Sequence, residues 1–214
     1  FERRLRVNLT GFKYNYRNLQ VQSLVNATSI AIGNAATAST RGLEVEVSVK
    51  PTPNWQLSGY ATLLNATYDS YPNAAVPATL LAYVASLPQF NAATRTFNAS
   101  GNRLDAAPRV TASLSVQRSW NLHQGSLIYA RGEYYWQDRT YYDPTNLLEQ
   151  SQGPYGLINT YLGYKTADGL WETQLWGKNL ADRSYIIAAA ANGLGPSGLI
   201  GSPRTLGARI TRNF

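Results

Sequence analysis

Apolar and polar residues alternate along most of this chain with a period of two, as expected for β-strands that present two different faces. At residues 43–50, leucine and valine at odd positions alternate with glutamate, serine and lysine at even positions. Residues 109–117 repeat the pattern, and the last segment, GSPRTLGARITRNF, alternates up to the aromatic Phe214. Each of these segments predicts a strand with one apolar and one polar face.

Turn residues divide the pattern into about eight strands. We expect them near residues 4–20, 41–50, 54–71, 108–120, 125–142, 155–167, 170–186 and 203–214, with a bulge near Gly11 in the first. The connections alternate between long loops, at 25–40, 72–107, 143–154 and 187–202, and short turns, at 51–53, 121–124 and 168–169. Such asymmetry is typical of an outer-membrane barrel, whose short turns face the periplasm. The sequence therefore predicts an all-β fold, an antiparallel transmembrane β-barrel with short periplasmic turns and long extracellular loops.

Aromatic residues separate by strand end in the same way. Trp55, Trp120 and Trp171 lie near short turns, and Phe214 ends the chain on that side. Tyrosines gather at the opposite ends, which predicts two aromatic belts, one at each membrane surface. The tyrosines of the predicted outer belt are Tyr14, Tyr16, Tyr68, Tyr71, Tyr141, Tyr142 and Tyr185.

Composition removes several classes of protein. No apolar run approaches the roughly 18 residues that a membrane-spanning helix needs, so a barrel or a soluble all-β binding module remains. The net charge of +7 comes from cations spread along the predicted strands, which suits a polar lumen better than nucleic-acid binding. The single histidine, His123, lies in a short turn, there is no Gly-x-Ser-x-Gly motif, and there is no cysteine. We therefore expect no enzyme activity, no cofactor and no metal site.

Four segments resemble TonB-dependent receptors of the bacterial outer membrane. They are RGLEVEVSVKPTPNWQLSGYATLLNATYDSY, GNRLDAAPRVTASLSV, YGLINTYLGYK and WETQLWGKNLADRSY, and they occur in the family's order. Barrels of this family have about 22 strands. The resemblance therefore implies that residues 1–214 are the C-terminal part of such a barrel. The plug domain and the segment gripped by TonB are expected to lie outside this chain, as the absence of methionine also suggests.

The resemblance also implies partners and a function. The expected function is active uptake of a scarce nutrient, most often a ferric siderophore, driven by the TonB–ExbB–ExbD system through the missing N-terminal region. Outer-membrane lipid would surround the barrel. The barrel-assembly machinery would read the last strand through Phe214, although Arg212 stands where the family commonly has an aromatic residue. A small ligand such as a metal chelate would meet cationic and aromatic loop side chains. Our candidates are Tyr83, Phe90, Arg95, Phe97, Arg103, Tyr141 and Tyr142.

One alternative from the residues themselves stays open. Eight strands can close into a complete small barrel whose interior is filled by side chains. Such a barrel would have a structural, adhesive or passive-pore role. Its inward charges could pair with one another: Glu44, Glu46, Lys50, Arg109, Arg131, Glu133, Lys165, Glu172, Lys178 and Arg209.

Overall fold

A computed structural model describes residues 4–24, 30–192 and 195–214, and its main feature is one antiparallel sheet of eight strands. Each strand pairs with its neighbour in the sequence of wall strands. The predicted all-β antiparallel fold is confirmed, and each predicted strand corresponds to one wall strand. The wall strands are β1 (Leu5–Leu24), β2 (Ile30–Val49), β3 (Trp55–Ser70), β4 (Val110–Asn121), β5 (Leu127–Gln137), β6 (Tyr155–Lys165), β7 (Trp171–Lys178) and β8 (Thr205–Arg212).

Four strand boundaries differ from the prediction by four residues or more. β1 ends at Leu24 instead of residue 20. β2 begins at Ile30, so most of the predicted loop 25–40 is strand, and residues 25–29 lie outside the described part. The first half of β2 consists largely of small and polar residues without apolar alternation, and it is held by pairing with β1, from Leu24↔Ile30 onward. β5 ends at Gln137 instead of residue 142, and β7 ends at Lys178 instead of 186.

Asn179 ends β7 because its backbone has a positive φ of 48° and leaves the ladder. Its buried side-chain amide donates to the carbonyl oxygens of Arg183 and Ser202, at 2.9 and 3.0 Å, and its Oδ1 accepts from the Arg183 N–H at 2.9 Å. Its own N–H donates to Asn159 Oδ1 on β6 at 3.0 Å. The GKNLADRSY segment is therefore a turn organised around one asparagine.

The register of the sheet separates two faces. One cross-strand row consists of Val7, Val47, Gly59, Leu114, Tyr134 and Ile158. The adjacent row consists of Asn8, Glu46, Tyr60, Ser113 and Tyr135. We call these the apolar face and the polar face. Large side chains of the apolar face are uncovered, with Leu206 73% exposed, so this face requires an apolar surrounding.

Pairing through Gly11 is regular, so the predicted bulge is misplaced. The register shifts lie between Tyr16 and Gln20, where Asn18 has a φ of 55°. Since the register is unbroken up to Tyr16, Phe12, Tyr14 and Tyr16 share the polar face with Asn8. Their rings form a ladder with centroid distances of 5.6 and 6.5 Å. Tyr14 and Tyr16 therefore do not form an outward belt.

The long connections carry structure of their own, and the buried core forms where the loop at 72–107 packs against the ends of β1, β2 and β3. Residues 72–107 include strands Ala74–Ala75, Phe90–Asn91 and Thr96–Phe97, the 3-10 turn Ala78–Leu80 and the short helix Leu81–Val84. Tyr68 and Tyr71 are buried with this loop, so they too are absent from a belt. The core cluster also contains Val21, Ala38, Ala74, Val76, Leu80, Val84, Phe97 and Ala99.

Two further connections form small sheets. Strands Thr140–Tyr141 and Ser151–Gln152 pair, with the 3-10 turn Leu148–Gln150 between them. Strands Ile186–Asn192 and Gly195–Ile200 pair within the predicted loop 187–202. The predicted turn 121–124 overlaps the 3-10 turn His123–Gly125. None of the helices in the described residues is long and apolar enough to span a membrane.

The eight-stranded sheet is open. Within residues 4–24, 30–192 and 195–214, β1 and β8 form no ladder with each other, and each has one unpaired edge. A complete eight-stranded barrel requires that closing ladder. The small-barrel alternative therefore lacks its defining contact.

Candidate functional site

The polar face carries an ion pair that is embedded in a hydrogen-bond network. Glu133 pairs with Arg131, and it accepts hydrogen bonds from Tyr161 Oη at 3.2 Å and Asn159 Nδ2 at 3.5 Å. Arg131 Nε donates to Ser115 Oγ at 3.1 Å, and its guanidinium lies 5.5 Å from the Tyr161 ring centroid. Three neighbouring strands, β4, β5 and β6, thus contribute to one network. At this place the wall is polar, and its two opposite charges balance each other.

Further side-chain hydrogen bonds lie elsewhere on the polar face. Tyr129 Oη donates to Glu172 at 2.7 Å and accepts from Gln174 Nε2 at 2.6 Å. Asn8 Nδ2 donates to Glu46 at 3.0 Å. A shallow cavity of about 530 Å³ lies over the polar face. No group of three or more metal-ligating His, Cys, Asp or Glu side chains occurs within the described ranges.

At the short-turn ends, two arginines of the apolar face lie between aromatic rings. The Arg118 guanidinium is 5.2 Å from the ring of Trp55 and 5.1 Å from that of Trp120. Arg212 is 5.4 Å from Trp171 and 5.0 Å from Phe214, the predicted assembly signal. The cation at position 212 therefore packs with the terminal aromatic group. Aromatic faces attract such cations at the membrane interface.

Arg103, a predicted ligand residue, joins two loops. Its guanidinium pairs with Asp138 at 3.7 Å, donates to the Arg139 carbonyl at 3.3 Å and lies 5.6 Å from the ring of Tyr141, another candidate. Its backbone N–H donates to Asn146 Oδ1 at 2.8 Å. The structure brings Arg103 and Tyr141 together, but the Arg103 guanidinium already has partners within the protein.

The other candidates of the long loop differ in accessibility. Tyr83 is 42% exposed, and Arg95 is exposed at a φ of 54°. Phe90 pairs with Phe97 across the small sheet and packs against the core. Phe97 is only 2% exposed, so its ring is covered by the loop. Tyr83 and Arg95 are therefore the candidates most available to a ligand from outside.

A second cavity, of about 410 Å³, lies at the loop end of the wall, and we call it the loop cavity. The last candidate, Tyr142, lines it and donates from its hydroxyl to the Ile186 carbonyl at 3.0 Å. The cavity is formed by β1, β3 and the three long connections. Its lining is Leu19, Gln20, Val21, Tyr68, Tyr71, Ala75, Pro77, Asp105, Tyr142, Asp143, Pro144, Gln150, Ala189, Ala190 and Ala191.

Two carboxyl groups of the loop cavity have perturbed acidity. Although the residue is accessible, desolvation within the cavity raises the pKa of Asp105 to about 7. The nearby Asp143 carboxylate raises this pKa further, while a hydrogen bond from Tyr68 lowers it. Burial also raises the pKa of Asp143, against hydrogen bonds from the hydroxyl and N–H of Thr145. Sequence reasoning missed both aspartates, because no local spacing connects two loops that meet only in the fold.

Comparison with known proteins gives a family and a set of folds. The family described as TonB dependent receptor-like, beta-barrel matches residues 1–180. The ferric yersiniabactin uptake receptor of Yersinia pestis has a TM-score of 0.76 and 19% identity, over 99% of this chain and 28% of that one. No curated protein sequence matches the chain.

Two further solved structures are similar. The siderophore receptor PiuA of Acinetobacter baumannii has a TM-score of 0.69 and 18% identity, over 100% of this chain and 27% of that one. The ferric-catecholate import receptor Fiu of E. coli K12 has a TM-score of 0.63 and 20% identity, over 100% and 26%. This chain thus spans about a quarter of the length of these proteins. At such identities the likeness concerns the fold.

Proposed function

Because the chain belongs to the TonB-dependent receptor-like β-barrel family, whose members are bacterial outer-membrane receptors and not enzymes, we propose that it forms wall and outer loops of a nutrient uptake receptor. The proposed cargo is a scarce nutrient, in the first place a ferric siderophore. The observation that carries the proposal is the family match over residues 1–180. It includes the first seven wall strands and both loops that carry the ligand candidates.

The two faces of the sheet support this role. The apolar face suits the hydrocarbon of the membrane, and the polar face suits a wide lumen in which polar cargo moves. The pairing of Arg131 with Glu133 leaves that part of the lumen wall without a strong fixed attraction for one ion. In this arrangement the wall is a passive support, and ligand contact belongs to the loops.

The cargo class is supported by the similar structures, which include receptors for ferric yersiniabactin and ferric catecholates. A ferric chelate with exposed oxygen atoms would find a cation at Arg95 and an aromatic ring at Tyr83. Of the seven predicted contact residues, these two are proposed to meet the cargo first. Arg103 and Tyr141 would act by keeping the two loops in register.

The remaining proposed partners follow from the family. The TonB–ExbB–ExbD system would act through regions outside this chain, the barrel-assembly machinery through the last strand and Phe214, and lipid through the apolar face. We propose no nucleic-acid partner.

Uptake of radiolabelled iron by whole cells tests the proposal. A strain lacking the gene would be complemented with the full-length receptor, in backgrounds with and without TonB, and supplied with a panel of ferric siderophores. We expect uptake of at least one chelate that requires both the receptor and TonB. Uptake that is the same with and without the receptor for every chelate would reject the siderophore assignment.

Variants of the loop at 72–107 test which residues contact the cargo. Deleting residues 75–100 would remove the core residues Leu80 and Val84, so point changes are preferable. We expect Tyr83→Ala combined with Arg95→Ala to reduce uptake, whereas Gln89→Ala, at an exposed position of the same loop, leaves it unchanged. Equal uptake by both variants would remove Tyr83 and Arg95 from the proposed contact set.

A further inference from the structure

We propose that the loop cavity binds a compact organic cation, in which a protonated amine or guanidinium group is carried on a small apolar body. The charge of the lining is the first reason. Asp105 and Asp143 both line the cavity, and none of the described lining residues is lysine, arginine or histidine. A cavity with two carboxylates and no basic residue favours a positively charged ligand by charge complementarity.

The acidity of these groups agrees with that charge. Desolvation within the cavity and repulsion from Asp143 raise the pKa of Asp105, so the two carboxylates destabilise one another when both are ionised. A cation placed between them would remove this repulsion. The Tyr68 hydroxyl, which hydrogen-bonds Asp105, and the Thr145 hydroxyl and N–H, which hydrogen-bond Asp143, keep the carboxylates in place.

A third polar group of the cavity is incompletely bonded. Gln150 is 1% exposed, and within the described part of the chain neither its Oε1 nor its Nε2 has a hydrogen-bond partner. Buried polar atoms of this kind are rare in native proteins, because leaving them unpaired costs stability. Gln150 lines the loop cavity with both aspartates. Both atoms are covered in this side-chain position, so the side chain would have to turn toward the cavity before a protonated amine could donate to Oε1 and a ligand acceptor could bond Nε2.

Size and the apolar lining favour an organic ligand over a bare metal ion. The volume of about 410 Å³ far exceeds that of one ion, and only two carboxylates are available. Apolar residues also line the cavity, namely Val21, Pro77 and the alanines at 189–191. Tyr142 adds an aromatic ring of the kind that stabilises organic cations. The cavity lining thus contains both carboxylates and apolar side chains.

Calorimetric titration of the full-length receptor in detergent tests the site without any transport, so its outcome is independent of the uptake proposal. The probes are agmatine, phenethylamine, the neutral phenethyl alcohol and Ca²⁺, at pH 8 and low salt. We expect both amines to bind and the alcohol to bind about tenfold more weakly, because it lacks the charge. Equal binding of phenethylamine and its alcohol, binding of Ca²⁺ alone, or no binding of either amine would overturn the proposal.

Variants locate the site. Asp143→Asn and Gln150→Leu should each weaken phenethylamine binding by about tenfold, since each removes a charge-assisted bond. Asp168→Asn makes the same charge change at an exposed short turn and should have no effect. Folding is checked by the heat-dependent shift of the barrel in gel electrophoresis. If Asp143→Asn fails to assemble, the isosteric Asp105→Asn takes its place. Unchanged affinity in the folded variants would contradict the assignment.

Discussion

Replacing Asn179 with alanine should destabilise the barrel wall by about 3 kcal/mol. The change removes three side-chain hydrogen bonds to the main chain of Arg183 and Ser202. Each such bond contributes about 1 kcal/mol net, and water partly replaces them because both partner residues are exposed. The φ of 48° adds about 1 kcal/mol, since alanine tolerates the left-handed region less well than asparagine.

Denaturant unfolding of the full-length receptor in detergent, followed by tryptophan fluorescence, measures this loss. Asn179→Gly separates the two causes, because glycine tolerates the positive φ but makes no side-chain bond; it should lose about 2 kcal/mol. Asn213→Ala is the matched control, since this exposed asparagine donates a single side-chain bond, to the Gly169 carbonyl at 2.9 Å. If Asn179→Ala unfolds at the wild-type midpoint, the turn is not organised as described.

Three further changes follow from the wall and the loop cavity. Gly207→Leu should lower the folded fraction on heat-shift gels, because the Trp176 ring covers the glycine and a side chain there would collide with it. Glu133→Gln should cost only about 1 kcal/mol in denaturant unfolding, because its ion pair with Arg131 is partly exposed. Asp105→Asn should flatten the decline in thermal midpoint between pH 4 and 7. Asp105 binds its proton more tightly in the folded protein, where its pKa is about 7, than in the unfolded chain, where the ordinary value is 3.8. The free energy of unfolding therefore falls as the pH rises from about 4 to 7.

Each of these has a control or a contradicting result. Gly132→Ala places a methyl group where nothing lies within 4 Å and should assemble normally. A loss of several kcal/mol for Glu133→Gln would mean that the polar-face network is far less solvated than its exposure indicates. Wild-type and Asp105→Asn proteins with the same pH profile would show that this carboxyl titrates normally.

The strands were predictable because their signal is local. In segments such as 43–50 and 109–117, alternation and flanking turn residues define both the strand and its two faces, and the register confirms them. The first half of β2 was not predictable, because its small residues show no alternation and its conformation is set by pairing with β1. The prediction that Tyr68 and Tyr71 belong to an outer belt was wrong for a related reason. Tyr68 and Tyr71 lie at the strand end as expected, but the long loop folds over them.

The candidate sites were predictable only as residue types. Arg103 has the chemistry of a ligand contact. Its guanidinium, however, already pairs with Asp138 and lies over the ring of Tyr141, both from another loop. Asp105, Asp143 and Gln150 form a site only because separate connections meet around one cavity. No spacing in the sequence encodes that meeting. Sequence thus predicts the wall well, and the loops only after their tertiary contacts are known.

The two unpaired edges of the sheet have a consequence for how this wall can enter a membrane. Along the outer edges of β1 and β8, main-chain groups have no ladder partner within the described residues. In hydrocarbon each unsatisfied group costs several kcal/mol, and the cost applies to a whole edge at once. A single hairpin of this wall would therefore be unstable in the bilayer, because both of its edges would be unpaired. Entry into the membrane and pairing of the edges must proceed as a single cooperative event.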